Sequence, residues 1–131
     1  MPFFLKLGLI AGGGALGALL RYAVSGLALR LIGSGFPWGT LCANLLGCFL
    51  IGLLWVLADR AALSPEASLF LLTGLLGAFT TFSTYSLESI NLLRDGEVLR
   101  GLLNIAVSNG LGLVSVLAGF ACARWLIQFS R

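Results

Sequence analysis

The chain has 131 residues, of which 59% are hydrophobic and 10% charged, and its formal net charge is +3. With a mean hydropathy of +1.04 it carries too little polar surface for a water-soluble domain of this length. Its eight scattered Lys and Arg residues make no basic patch of the kind that binds nucleic acid.

Four apolar runs fill the sequence: Leu5–Leu31, Trp38–Ala58, Ala67–Leu93 and Leu99–Ile127. Each reaches the ~20 residues needed to cross a bilayer as a helix. The separators "GSGFP" (Gly33–Pro37), "DRAALSPE" (Asp59–Glu66) and "RDGEV" (Arg94–Val98) combine breakers and charges that end helices. Period-two alternation is missing, which disfavours a barrel. The expected fold is an all-α membrane protein, a single four-helix domain over residues 1–131. The first run is too long for a signal-peptide core and reads as a retained helix. Trp38, Trp55 and Trp125 fall near predicted helix ends, where interfacial aromatics gather.

The first run offers Gly8-xxx-Gly12 and Gly13-xxx-Gly17, a helix-packing pattern. On the second, Thr40, Asn44 and Gly47 follow one stripe, and Asn44 suits either a clasp between helices or a ligand group. Cys42, Cys48 and Cys122 lie in apolar runs without a C-x-x-C pair, and His is absent. They read as small buried hydrophobes rather than metal ligands.

The third run contains "GAFTTFSTYSLES" (Gly77–Ser89), in which seven of thirteen residues bear a hydroxyl. Gly74, Gly77 and the adjacent Thr80 and Thr81 are poor helix formers, so a broken helix is expected at mid-span. Backbone carbonyls released there need partners and make good ligands for a hard cation such as Na⁺. Phe82 and Tyr85 share one face; Thr81 and Thr84 share its neighbour. Ring edges are partly positive, so with the hydroxyl and amide donors they suit a small anion. No mid-span Lys or Arg is evident to trap that anion. On the fourth run Asn104, Ser108, Gly112 and Ser115 form another stripe, with Asn109 just off it; close packing is its simplest reading.

Four crossings put both termini and the middle loop on one side. That side holds Lys6, Arg60, Arg124 and Arg131; the other holds Arg30, Arg94 and Arg100, with Arg21 inside the first helix. Four against three is almost no bias, so the positive-inside rule sets no clear orientation. Two copies inserted in opposite senses could pair about a two-fold axis in the membrane plane.

Three segments carry a family resemblance: "GGGALGALLRY" (Gly12–Tyr22), "PWGTLCANLLGCFLIG" (Pro37–Gly52) and "GLLGAFTTFSTYSLE" (Gly74–Glu88). Over essentially its whole length the chain resembles the Fluc-type fluoride channels, also called CrcB proteins. The resemblance implies an antiparallel dual-topology homodimer in the bacterial inner membrane, with two fluoride pores and a structural Na⁺ at the dimer interface. It assigns the Na⁺ ligands to backbone carbonyls of Gly77 and Thr80, the pore Asn to Asn44, and the pore aromatics to Phe82 and Tyr85. The second of these is typically Phe in the family. A polar track would include Thr81, Ser83, Thr84 and Ser108. Arg21 matches a family Arg and would attract anions at a vestibule; a bilayer-edge anchor or a partner for Glu88 are the rival roles. Relatives often have an aromatic near Asn104, which this chain lacks.

A small dual-topology multidrug exporter would need a carboxylate in its first helix, and here the first acidic residue is Asp59. A packing subunit without transport would account for the glycines and serines, but not for Asn44, Phe82 and Tyr85 around one helix break. An enzyme is disfavoured because no nucleophile–base constellation appears.

Overall fold

The computed structural model describes residues 1–60 and 63–129, and every regular element among them is helical. In chain order these are α1 (Phe3–Ile32), α2 (Trp38–Asp59), α3 (Pro65–Ser68), a π-helical segment π1 (Leu69–Leu76), α4 (Gly77–Phe79), α5 (Phe82–Arg94) and α6 (Val98–Phe129). Four stretches are long and apolar enough to cross a membrane: α1, α2, the third span Pro65–Arg94, and α6. The expected crossings therefore appear with ends shifted by a few residues. Arg131, one of the residues in the charge tally, lies outside the described residues.

Local chemistry accounts for the ends. Gly33 closes α1 at φ 103°, a left-handed conformation that favours glycine, and its N–H reaches the Leu29 carbonyl at 3.1 Å. Ser64 caps α3 by accepting the Ala67 N–H at 3.1 Å, with Pro65 in the first helical position. After α5, Gly96 takes φ 82° and the Glu97 N–H turns back to the Leu92 carbonyl at 2.9 Å. The chain then reverses directly into α6.

Packing follows two pairings, α1 against π1 and α4, and α2 against α6; α5 folds back along α6. Lipid tails are as apolar as leucine, so these contacts depend on close approach of backbones rather than on expulsion of water. Glycine supplies that approach. A Cβ on Gly13 would overlap the Phe70 carbonyl, and one on Gly17 the Leu75 carbonyl. Between α2 and α6 the arrangement is reciprocal: Gly52 faces the Val116 carbonyl, and Gly119 faces the Phe49 carbonyl. Gly13 and Gly17 thus serve the expected packing role. Gly8 has nothing near its missing side chain in the single chain.

The π-helical geometry of Leu69–Leu76 was not foreseen from sequence. It is the stretch whose backbone meets the α1 glycines, with Gly74 directly opposite Gly13. Nothing in its composition distinguishes it from an ordinary apolar helix.

Gly52→Ala forces a methyl against the α6 backbone and is expected to destabilise the fold by about 1–3 kcal/mol. Thermal unfolding in detergent measures the loss.

Candidate functional site

Two residues interrupt the third span. Thr80 has φ −85° and ψ 154°, and Thr81 has φ −148° and ψ 113°, both extended, between α4 and α5. Asn44 of α2 clamps this step. Its Oδ1 accepts the Thr81 N–H at 2.8 Å, and its Nδ2 donates to the Thr81 carbonyl at 3.1 Å. A backbone N–H can only donate and a carbonyl only accept, so the carboxamide has one permitted orientation. The two bonds occupy its carbonyl and one N–H; the second N–H is left over.

The neighbouring hydroxyls reinforce the same geometry. Thr81 caps α5, its Oγ1 accepting the Thr84 N–H at 3.3 Å and sharing hydrogen bonds with the hydroxyls of Thr84 (2.9 Å) and Ser83 (3.3 Å). Thr80 turns its hydroxyl back to the Leu76 carbonyl at 3.1 Å. Its methyl lies where a side chain on Gly47 would have to go. Gly47 therefore lets α2 approach closely enough for Asn44 to reach Thr81.

The interruption also removes the α-helical donors of the four carbonyls from residue 77 to residue 80, Gly77 and Thr80 among them. In a continuous α-helix the Gly77 carbonyl would receive the Thr81 N–H, and the Thr80 carbonyl the Thr84 N–H. Here the first N–H goes to Asn44 and the second to the Thr81 hydroxyl. Gly77 is also exposed at the surface of the single chain.

Beside the step is a cavity of about 360 Å³. Asn44, Gly77, Thr80 and Thr81 lie on its wall, as do Phe82, Tyr85 and Ser108. Asn109 also lines it, and no Lys, Arg, Asp or Glu does. The Phe82 and Tyr85 rings sit 5.5 Å apart at 51°, with Phe82 78% exposed on the single chain. Ser83 and Thr84 are not on the wall; they support Thr81 instead. Arg21, half-buried on α1, is likewise not part of it.

A second polar run ties α5 to α6. Ser89 donates to the Tyr85 carbonyl at 2.8 Å and accepts from Asn104 Nδ2 at 2.9 Å; Ser108 donates to Asn104 Oδ1 at 3.3 Å. Asn104 is 2% exposed, so the α6 stripe does pack, through hydrogen bonds as well as small residues. Thr40 donates to Glu88 Oε1 at 2.8 Å, a contact between residues 48 apart that no sequence pattern announces. The one ion pair among the described residues joins Glu97 and Arg100, so Arg21 is not paired with Glu88.

Comparison with known proteins follows the same lines. Residues 8–120 match the family model described as CrcB-like protein, Camphor Resistance (CrcB). A protein of Salinibacter ruber named fluoride-specific ion channel FluC is 58% identical over 94% of this chain and 92% of its own length. Proteins with the same name from Rhizobium johnstonii and Nitrosococcus oceani are 50% and 48% identical, over 90% and 91% of this chain and 95% and 96% of their own lengths.

Asn44→Ala leaves the Thr81 N–H without its acceptor, while the Thr81 carbonyl, at the N-cap of α5, keeps its helical donor. One unsatisfied buried group costs about 1–3 kcal/mol, and stability is expected to fall by that amount, read as a lower unfolding temperature in detergent.

Proposed function

The chain belongs to the CrcB family, and we propose that it is a fluoride-selective passive channel, working as an antiparallel dimer with two pores. The cavity at the clamped step carries this reading. Its wall is electrically neutral yet furnished with ring edges, hydroxyls and an amide N–H. The names of the Salinibacter and Rhizobium relatives support it as well.

Fluoride holds its water tightly, so a pore must replace that shell with donors at successive stations. Asn44 can offer its remaining N–H, Tyr85 its hydroxyl, and Phe82 and Tyr85 their partly positive ring edges; Ser108, whose proton goes to Asn104, lines the pathway without donating to it. A fixed cation in the wall would bind the anion too firmly to release it, and the wall has none. Thr81 borders the pathway, and Ser83 and Thr84 hold the broken third helix in shape through the Thr81 hydroxyl. Arg21 would gather anions at the vestibule. Transport is downhill: neutral hydrogen fluoride enters from acidic surroundings, dissociates in the cytoplasm, and the anion leaves through the pore under the inside-negative potential.

The same break suits a structural Na⁺. The Gly77 and Thr80 carbonyls have lost their α-helical donors, and carbonyl oxygens are ligands of the hard type Na⁺ prefers. When bound, the ion would neutralise these dipoles and tie one chain to its partner. Exposed Gly77 and Phe82 would then be covered by the second copy. The near balance of Lys and Arg across the membrane permits that copy the opposite orientation.

Liposomes containing the purified chain are expected to release fluoride far faster than chloride; equal release of the two anions overturns the assignment. Asn44→Asp is expected to abolish fluoride efflux, because a carboxylate repels the anion and cannot donate to the Thr81 carbonyl. Na⁺ is expected to raise the unfolding temperature where equal ionic strength of an organic cation does not; no difference between the two removes the Na⁺ site.

A further inference from the structure

Resting on the channel reading, we propose that Asn109 is a positioning residue that aims the Tyr85 hydroxyl proton into the anion pathway, and that this pair sets fluoride over chloride at that station. The orientation of the Asn109 amide is fixed by its neighbours. Its Nδ2 lies 2.7 Å from the Ile105 carbonyl, which can only accept, so this atom is the NH₂ group. The same Nδ2 lies 2.9 Å from the Tyr85 hydroxyl oxygen. One N–H goes to each. Tyr85 is therefore the acceptor in this contact, and its own proton is not consumed by it. Asn109 and Tyr85 both border the 360 Å³ cavity, so a phenol proton turned away from Asn109 has that space available. Phe82 packs beside the Tyr85 ring, with centroids 5.5 Å apart and planes tilted by 51°.

Asn109 itself is poorly suited to hold the anion. Both of its N–H groups are engaged, and what remains is a carbonyl oxygen, which repels negative charge. Its effect must pass through Tyr85. A directed O–H favours the smaller halide, whose charge is more concentrated, so removing it weakens fluoride passage more than chloride passage.

The test is a double-mutant cycle on fluoride and chloride efflux from liposomes, using Tyr85→Phe, Asn109→Leu and the double variant in the full chain. Tyr85→Phe keeps the ring and is expected to slow fluoride efflux roughly three- to tenfold, the effect of one lost hydrogen-bond donor, without abolishing it. Asn109→Leu is expected to do nearly the same, and the double variant no more than either. Chloride efflux stays near its wild-type value, so the fluoride-to-chloride ratio falls with each. A ratio unchanged by Tyr85→Phe overturns the proposal whether or not the Asn109 variant folds. So does an Asn109→Leu effect that is equally large in the Phe background, since Asn109 would then act without Tyr85. If the wild-type chain moves both anions equally, the channel reading itself fails and this inference with it. Selective wild-type efflux with uncoupled substitutions removes only the inference.

Discussion

One carboxamide holds the centre of this molecule. Asn44 meets both polar groups of the Thr81 backbone, supplying the acceptor that the Thr81 N–H loses by being extended. In a bilayer no water is at hand to satisfy an opened backbone, and each unpaired group there costs several kcal/mol. The interruption is tolerable because a side chain from a neighbouring helix supplies the missing partner. The cavity beside Thr81, the cap on α5 and the loss of α-helical donors at the Gly77 and Thr80 carbonyls all accompany that exchange.

The clamp in turn depends on how near α2 can come. Gly47 leaves room for the Thr80 methyl and the edge of the Phe79 ring. Gly52 and Gly119 bring α2 and α6 into backbone contact one turn or more further along. On the other flank, Gly13 and Gly17 seat α1 on π1. The contacts of Gly13, Gly17, Gly52 and Gly119 each set a carbonyl against a glycine, a geometry suited to weak Cα–H···O bonds. The third span is thus gripped on both sides of its interruption, and α4 and α5 keep their relative placement.

The hydroxyls and amides divide into two jobs. Ser83 and Thr84 bond to the Thr81 hydroxyl, and Ser89, Asn104 and Ser108 bond to one another or to backbone. They make the frame rigid. The Tyr85 hydroxyl and the leftover N–H of Asn44 stand at the cavity wall with a proton still to give. A neutral wall with a few such donors attracts an anion weakly, which conduction requires.

Hydropathy and breaker residues were enough to mark four crossings, because a membrane segment is a local property of about twenty consecutive side chains. The Thr and Gly cluster near residue 80 advertised poor helix formation for the same local reason, and the resemblance over Gly74–Glu88 named the family. Whether Asn44 would clasp or bind was undecided at that level, since its partner is 37 residues away. Asn109, one position off its stripe, carried no signal that it would meet the Tyr85 hydroxyl. The π-helical turn of Leu69–Leu76, which meets the α1 glycines, was equally silent. Segments and composition are written along the chain; which donor meets which acceptor depends on the approach and rotation of packed helices, and those exist only once the helices have come together.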